Sequence, residues 1–184
     1  DYFLENINGT ISNNTLWTEP AITIPYGEGE FGQNQGFSQT YASVLGDLDR
    51  DGDIDLIQEN YIVGNIDSEI YPHNIIWLNN GNNTFGLQNP TGTGQEEPDW
   101  ISWHAHYGED IELADLDGDG LFEIITASSF EPPTAAIVLV GNSIYQNNNG
   151  TFNRNSSWVS STARYSTGVA AGELDFDGDL DLVF

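Results

Sequence analysis

The chain has 184 residues, 38% of them apolar, and 29 Asp and Glu against three Arg and no Lys give it a formal charge of −26. That length and apolar share suffice for one domain with a buried core. The charge excludes nucleic acid and anionic membrane surfaces as partners, because so few cations cannot replace the counterions around phosphates, and the absence of cysteine excludes disulfides and thiol redox chemistry.

In chain order, Tyr2-Phe3-Leu4 runs into an Asn-Gly turn at Asn8-Gly9-Thr10. The small residues Ala42 and Ser43 then lead into an acidic stretch, Leu45 to Ile57, whose last residues, Ile54 to Ile57, have strand composition. A variable connection, Tyr61 to Pro72, precedes the apolar Ile75-Ile76-Trp77-Leu78 and a second Asn-rich turn at Asn82-Asn83-Thr84. After the connection Pro90 to Trp103, Ile111 and Glu112 enter a second acidic stretch, Leu113 to Ile125, and Glu123 to Thr126 leaves it as a strand. The connection Ser128 to Thr134 follows. Ala135 to Val140 is an apolar run far short of the ~20 residues that span a bilayer, so it reads as a buried strand. Ile144-Tyr145 enters the third turn, Asn149-Gly150-Thr151. Gly168, Ala170 and Ala171 open the third acidic stretch, Ala171 to Val183, and Leu180 to Phe184 reads as the strand after it.

Asn-Gly between alternating apolar residues is a strong hairpin signal, since type I′ turns need positive φ at both central positions. No segment keeps a helical period with caps over ~12 residues. Trp17 follows Asn8 at the distance at which Trp158 follows Asn149, whereas the middle copy has Thr91 there. The small residues before the loops fit an innermost strand crowded near an axis.

Each unit reads as strand, acidic loop, strand, connection, strand, Asn turn, strand. Four antiparallel strands in about 60 residues make a β-propeller blade, so the fold class is all-β. On this reading 1–37 is the second half of a blade with its connection, 38–97 and 98–163 are blades, and 164–184 is the first half of a blade. Two whole blades and two complementary halves fall short of the four to eight that close a propeller. The expectation is a piece of a larger propeller, the chain starting at Asp1 as a fragment or processed form. Completion of a blade between molecules is the alternative, with strand edges open to strand addition.

The acidic loops carry the chemistry. In the first, Asp47, Asp49, Asp51 and Asp55 occupy positions 1, 3, 5 and 9, Gly52 at position 6 permits a sharp turn, and the carbonyl of Asp53 at position 7 is placed to face an ion. The second supplies Asp115, Asp117, Asp119 and Glu123 with the Leu121 carbonyl. The third supplies Glu173, Asp175, Asp177 and Asp181 with the Asp179 carbonyl. Packing four carboxylates together without a cation costs large pKa shifts or equivalent repulsion. Calcium accepts six to eight oxygens in loose geometry, magnesium demands a stricter octahedron, and zinc prefers His or Cys. An EF-hand needs an acid at position 12 and flanking helices, but position 12 is Gln58, Thr126 and Phe184, and strands follow.

The motif G-D-L-D-x-D-G-D-x-D-L, standing at Gly46 to Leu56 with two close variants, resembles the FG-GAP/VCBS family of β-propeller repeats, which includes the calcium-binding blades of integrin α-subunits. The family's Asn-rich hairpin is echoed by Asn79 to Phe85 and Asn147 to Phe152. The resemblance covers most of the chain and implies calcium, up to three ions, at positions 1, 3, 5, 7 and 9 of each loop. Glu173 departs from the usual Asp, and its longer arm is expected to shift or weaken that site. Glu123 is a milder departure.

Five N-x-S/T sequons, at Asn8, Asn13, Asn82, Asn149 and Asn155, are candidate glycosylation sites, three of them coinciding with turns that want Asn for its backbone alone. His104 and His106, with Trp100, Trp103, Tyr107, Glu109 and Asp110, form the densest polar-aromatic cluster. It reads as aromatic core and rim packing, with a zinc or catalytic site as the sharper alternative. No nucleophile elbow or phosphate-binding glycine loop appears. The resulting expectation is a non-catalytic extracellular module, secreted or at the cell surface where calcium is millimolar, that binds a protein or glycan partner in adhesion or scaffolding. The alternatives are a self-assembling filament or surface-layer subunit joined by blade completion, and a propeller that carries or supports the active site of a secreted polysaccharide-degrading enzyme.

Overall fold

The computed structural model describes residues 2–7, 10–18, 38–62, 74–81, 84–87, 98–102, 107–130, 141–161 and 165–184. Among them every regular element is a strand, and no helix occurs. The first hairpin joins β1 (Tyr2–Ile7) to β2 (Thr10–Thr18). A four-stranded antiparallel sheet follows in the order β3 (Ser38–Gly46), β4 (Asp55–Ile62), β5 (Asn74–Trp77), β6 (Trp100–Ile101). A second sheet repeats that order with β7 (Tyr107–Ala114), β8 (Glu123–Phe130), β9 (Ser143–Tyr145) and β10 (Trp158–Val159). A last hairpin pairs β11 (Ala170–Gly172) with β12 (Asp181–Val183). These are the four-stranded units expected from the sequence, consistent with propeller-like blades, and the described strands form no closed ring.

The register repeats as faithfully as the order. Leu45 pairs with Leu56, Leu113 with Ile124 and Ala171 with Leu182 across the three acidic loops. Both β3 and β7 slip register at the same place before their loops, between Thr40 and Ala42 and between Gly108 and Asp110. The strands leading into the loops lie side by side, β7 touching both β3 and β11.

Alternation distributes the apolar residues of β4 and β8 to two faces. Ile57 and Ile76 from the first sheet and Ile111, Ile124, Tyr145 and Phe152 from the second meet in one buried cluster, so the sheets pack face to face. Leu56, Ile75, Trp77 and Phe85 cover the opposite face of the first sheet. Ala114, Ile125 and Ala127 on the far face of the second meet Val169, with Ala171 and Leu182 against them. Each fully buried aliphatic side chain contributes about 1.5–3 kcal/mol, and covering both faces buries adjacent apolar residues alike, Leu56 with Ile57 and Ile124 with Ile125.

The structure corrects three details of the sequence reading. Tyr61–Ile62 and Ser128–Phe130, expected to open connections, are the ends of β4 and β8. The first sheet runs on to Ile101 rather than stopping at residue 97, because the two-residue β6 is too short to leave a periodic signal. The counterpart of Trp158 is Trp100 and not Thr91: Trp100 stands opposite Ile76 as Trp158 stands opposite Ile144 and Trp17 opposite Phe3. Extra residues after the middle turn displace that tryptophan along the sequence. Ala135–Val140 lies outside the described residues.

Candidate metal centre

The three acidic loops link paired strands and fold by one bonding scheme. The carboxylate at position 1 accepts the N–H of the position 6 glycine: Asp47 from Gly52 at 3.2 Å, Asp115 from Gly120 at 2.9 Å, Glu173 from Gly178 at 2.8 Å. Position 3 accepts the N–H of position 5 in each, through Asp49, Asp117 and Asp175. Position 5 accepts the N–H of position 7, through Asp51, Asp119 and Asp177. Position 9 reaches back to the N–H of position 2: Asp55 to Leu48 at 2.8 Å, Glu123 to Leu116 at 2.8 Å, Asp181 to Leu174 at 2.9 Å. The turn also needs positive φ at position 4, occupied by Arg50, Gly118 and Phe176, and at the position 6 glycines.

Alongside these backbone bonds, three acids of each loop converge. Asp47, Asp49 and Asp55 bring one oxygen each within 4.8 Å of one another, as do Asp115, Asp117 and Glu123, and Glu173, Asp175 and Asp181. Asp51, Asp119 and Asp177 stand outside these trios and serve as turn acceptors. Asp53, Leu121 and Asp179 at position 7 donate the N–H that holds that turn.

Asp47 Oδ1 and Asp115 Oδ1 are buried and find no hydrogen-bond partner among the described residues. A buried carboxylate oxygen without a partner is costly unless a cation meets it, and each donor set consists of oxygen alone, the chemistry of a hard cation. The residues of the first two loops therefore fit a calcium-type ion. The third loop differs. Glu173 has both oxygens engaged, Oε1 by the N–H of Phe176 at 2.7 Å and Oε2 by Gly178. The longer side chain satisfies itself on the backbone where Asp47 keeps an oxygen free.

Burial also shifts the position 9 acids. Asp55 is pushed up to about 6, chiefly by burial and further by Asp49 and Asp51, while the N–H groups of Asn79 and Leu48 pull the other way. Glu123 is raised by burial first and then by Asp117 and Asp119, against the backbone bonds from Leu116 and Asn147. Both carboxylates crowd neighbours of like charge, a state a divalent cation relieves.

The Asn-rich turns buttress these loops. Asn79 donates its N–H to Asp55 Oδ1 at 2.9 Å and its side chain to the Ile54 carbonyl at 3.1 Å. Asn147 makes the corresponding bond to the Phe122 carbonyl at 3.1 Å. Asn149 and Gly150 both have positive φ, as an Asn-Gly turn of type I′ requires.

Residues 137–184, which include this turn and the third acidic loop, match the family model described as an FG-GAP-like repeat. That stretch is similar to an FG-GAP-like repeat. No curated protein matches the chain. The Asp47 and Asp115 loops lie outside the matched stretch, yet they share with the Glu173 loop the four backbone bonds described above.

The remaining candidates separate from these loops. Trp103, His104 and His106 lie outside the described residues. Trp100 packs edge-on to Tyr145, centroids 5.2 Å apart, and near Phe152 at 6.0 Å, an aromatic contact between the two sheets. Asp110 accepts the Val169 N–H at 3.0 Å and so ties β7 to the segment before β11. Of the sequons, Asn149 and Asn155 are exposed, Asn13 lies in β2, and Asn8 and Asn82 fall outside the described residues. Asn147 of the second sheet also donates to the Leu48 carbonyl of the first loop, a bond across 99 residues that leaves no local sequence signal.

Proposed function

We propose that the chain is a non-catalytic, extracellular, calcium-binding repeat module. Asp47, Asp49 and Asp55, with the Asp53 carbonyl, would hold one ion, and Asp115, Asp117 and Glu123, with the Leu121 carbonyl, a second. Glu173, Asp175 and Asp181 form a weaker third site. The observation that carries this reading is the pair of buried, unpartnered oxygens, Asp47 Oδ1 and Asp115 Oδ1, each beside two converging carboxylates. FG-GAP-like repeats often bind calcium, which supports it. Bound calcium supplies a fixed positive charge that neutralises the loops and stiffens the rim of each unit. The partner, a protein or glycan in adhesion or scaffolding, would meet the connections between strands.

Calorimetric melting tests the core of this reading. Millimolar calcium is expected to raise the melting temperature above that in EDTA, and Asp47→Asn with Asp115→Asn to abolish most of the rise. Equal melting temperatures in calcium and EDTA would defeat it.

A second reading, joining of copies by blade completion, is favoured by a specific observation. In both four-stranded sheets the strand after the acidic loop pairs with a third strand, β4 with β5 and β8 with β9, and β1–β2 has the register of the β5–β6 pair.

A further inference from the structure

The Asp47 loop belongs to the first sheet by sequence, but much of its support comes from the second. Leu48, at position 2, is fully buried in the cluster shared with Ile111, Ile124, Tyr145 and Phe152. Its N–H holds Asp55, and its carbonyl accepts Asn147 Nδ2 at 2.9 Å across 99 residues of sequence. Asn147 is itself buried, and its Oδ1 accepts the Gly150 N–H at 2.8 Å, which shapes the turn. Gly150 then lies on the backbone of Asp49: a Cβ at 150 would stand 2.6 Å from Asp49 Cβ and 3.2 Å from its Cα. On the other side of the loop, Arg50 reaches the Asp119 carbonyl with Nη2 at 2.6 Å. The corresponding turn of the first sheet behaves differently, with Gly81 closing on Asp53 of its own sheet's loop.

We propose that the Asp47 site spans two sheets, with Asn147 and Gly150 as positioning residues that supply no ligand atom yet set its cation affinity, so that a cation bound there clamps the second sheet to the first. The inference rests on the calcium reading above. Groups that orient metal ligands without touching the metal commonly change affinity 10–100-fold when altered. Gly150 abuts the Cα and Cβ of Asp49 at position 3, and Asn147 anchors the carbonyl of Leu48, the residue whose N–H holds the position 9 carboxylate. Binding and docking are then reciprocally linked: whatever docking adds to affinity, the cation returns to docking.

The test is a calcium titration of the full chain followed by the backbone amides of Gly52, Gly120 and Gly178. Each donates to the position 1 carboxylate of its own loop and reports that loop separately. Gly150→Ala is expected to weaken the dissociation constant read at Gly52 by about tenfold or more, with that at Gly120 within about twofold. Equal weakening at both glycines, or none at Gly52, would overturn the proposal. Should Gly150→Ala fail to fold, Asp115→Asn with Asp117→Asn leaves the Asp47 loop as the stronger site. In that variant calcium should slow hydrogen exchange at Asn148 and Thr151, whose amides close the turn on the second sheet. Unchanged exchange there, with Gly52 still responding, would confine the cation to its own loop and refute the clamp. If no glycine amide of the unaltered chain responds to calcium, the calcium reading itself fails and this inference falls with it.

Discussion

Leu48 donates its backbone N–H to Asp55 Oδ2 at 2.8 Å, and that bond closes the first acidic loop onto the strand that follows it. It also holds a carboxylate where burial is unfavourable to its charge. The pKa of Asp55 rises from 3.8 to about 6, so the folded chain binds this proton more tightly than the unfolded chain does. Stability in EDTA should therefore fall as pH rises from about 4 to about 6, with Glu123 contributing in the same direction. Calcium binds the deprotonated loop, so saturating calcium should reverse that slope. Urea denaturation at a series of pH values, with EDTA and with calcium, checks both signs. The fall in EDTA should be shallower in Asp55→Asn, and an identical slope in that variant would contradict the assignment.

A second buried acid lies between the sheets. Glu59 on β4 is fully buried, and a Cβ added at Gly108 on β7 would fall on its carboxylate. Burial raises its pKa well above 4.5, with Asp110 and Glu109 adding to the effect. The stability associated with protonated Glu59 is present at low pH and lost as pH rises through its folded pKa. Glu59→Gln keeps the shape and removes the titration, so its stability should depend less on pH above about 4.5. Gly108→Ala should cost about 1–3 kcal/mol by overpacking. Denaturation midpoints of the two variants, measured at several pH values, decide both points.

Trp100 joins the sheets where Trp158 does not. Its ring meets Tyr145 and Phe152 across the interface, whereas Trp158, its counterpart in register, is 45% exposed. Trp100→Ala is expected to cost about 2–4 kcal/mol, near the lower end for removing an aromatic ring because this one is only partly buried. Trp158→Ala should cost under about 1 kcal/mol. Comparable losses for the two would mean that the contact with Tyr145 carries little energy.

What was legible in the sequence follows from which signals are local. The three loops could be read because position 1, position 6 and position 9 lie within nine residues, and every bond of the scheme forms inside that span. The four-stranded units could be read because each apolar run ends in an acidic loop or an Asn turn. β6 could not, since two residues carry no period, and the spacing to its tryptophan was broken by the residues after Asn82. The division of labour among the acids was equally hidden. Asp51 and Asp49 look alike in the motif and each accepts a backbone N–H of the turn, but only Asp49 also stands in the converging trio. The bond from Asn147 to Leu48 lay furthest from reach, because only the packing of two sheets brings those residues together.

The exposed edge of the last hairpin supplies the final prediction. In both complete sheets the strand after the acidic loop pairs with the next in one register, Ile57 with Ile76 and Ile125 with Ile144. Val183 occupies the place of Ile57 and Ile125. Phe3, which faces Trp17, occupies that of Ile76 and Ile144. If copies complete one another's blade, Val183 of one stands opposite Phe3 of the next, and Leu182 opposite Leu4. The chain contains no cysteine, so Val183→Cys and Phe3→Cys each introduce a single thiol. Directly opposed strand positions bring Cβ atoms to about 4.5–5.5 Å, close enough for a disulfide after small adjustments. Mild oxidation of an equimolar mixture should yield the mixed dimer. Thr15→Cys, on β2 and one strand further out, should not cross-link to Val183→Cys. Failure of the first pair, or equal cross-linking by the second, would exclude this register of self-pairing.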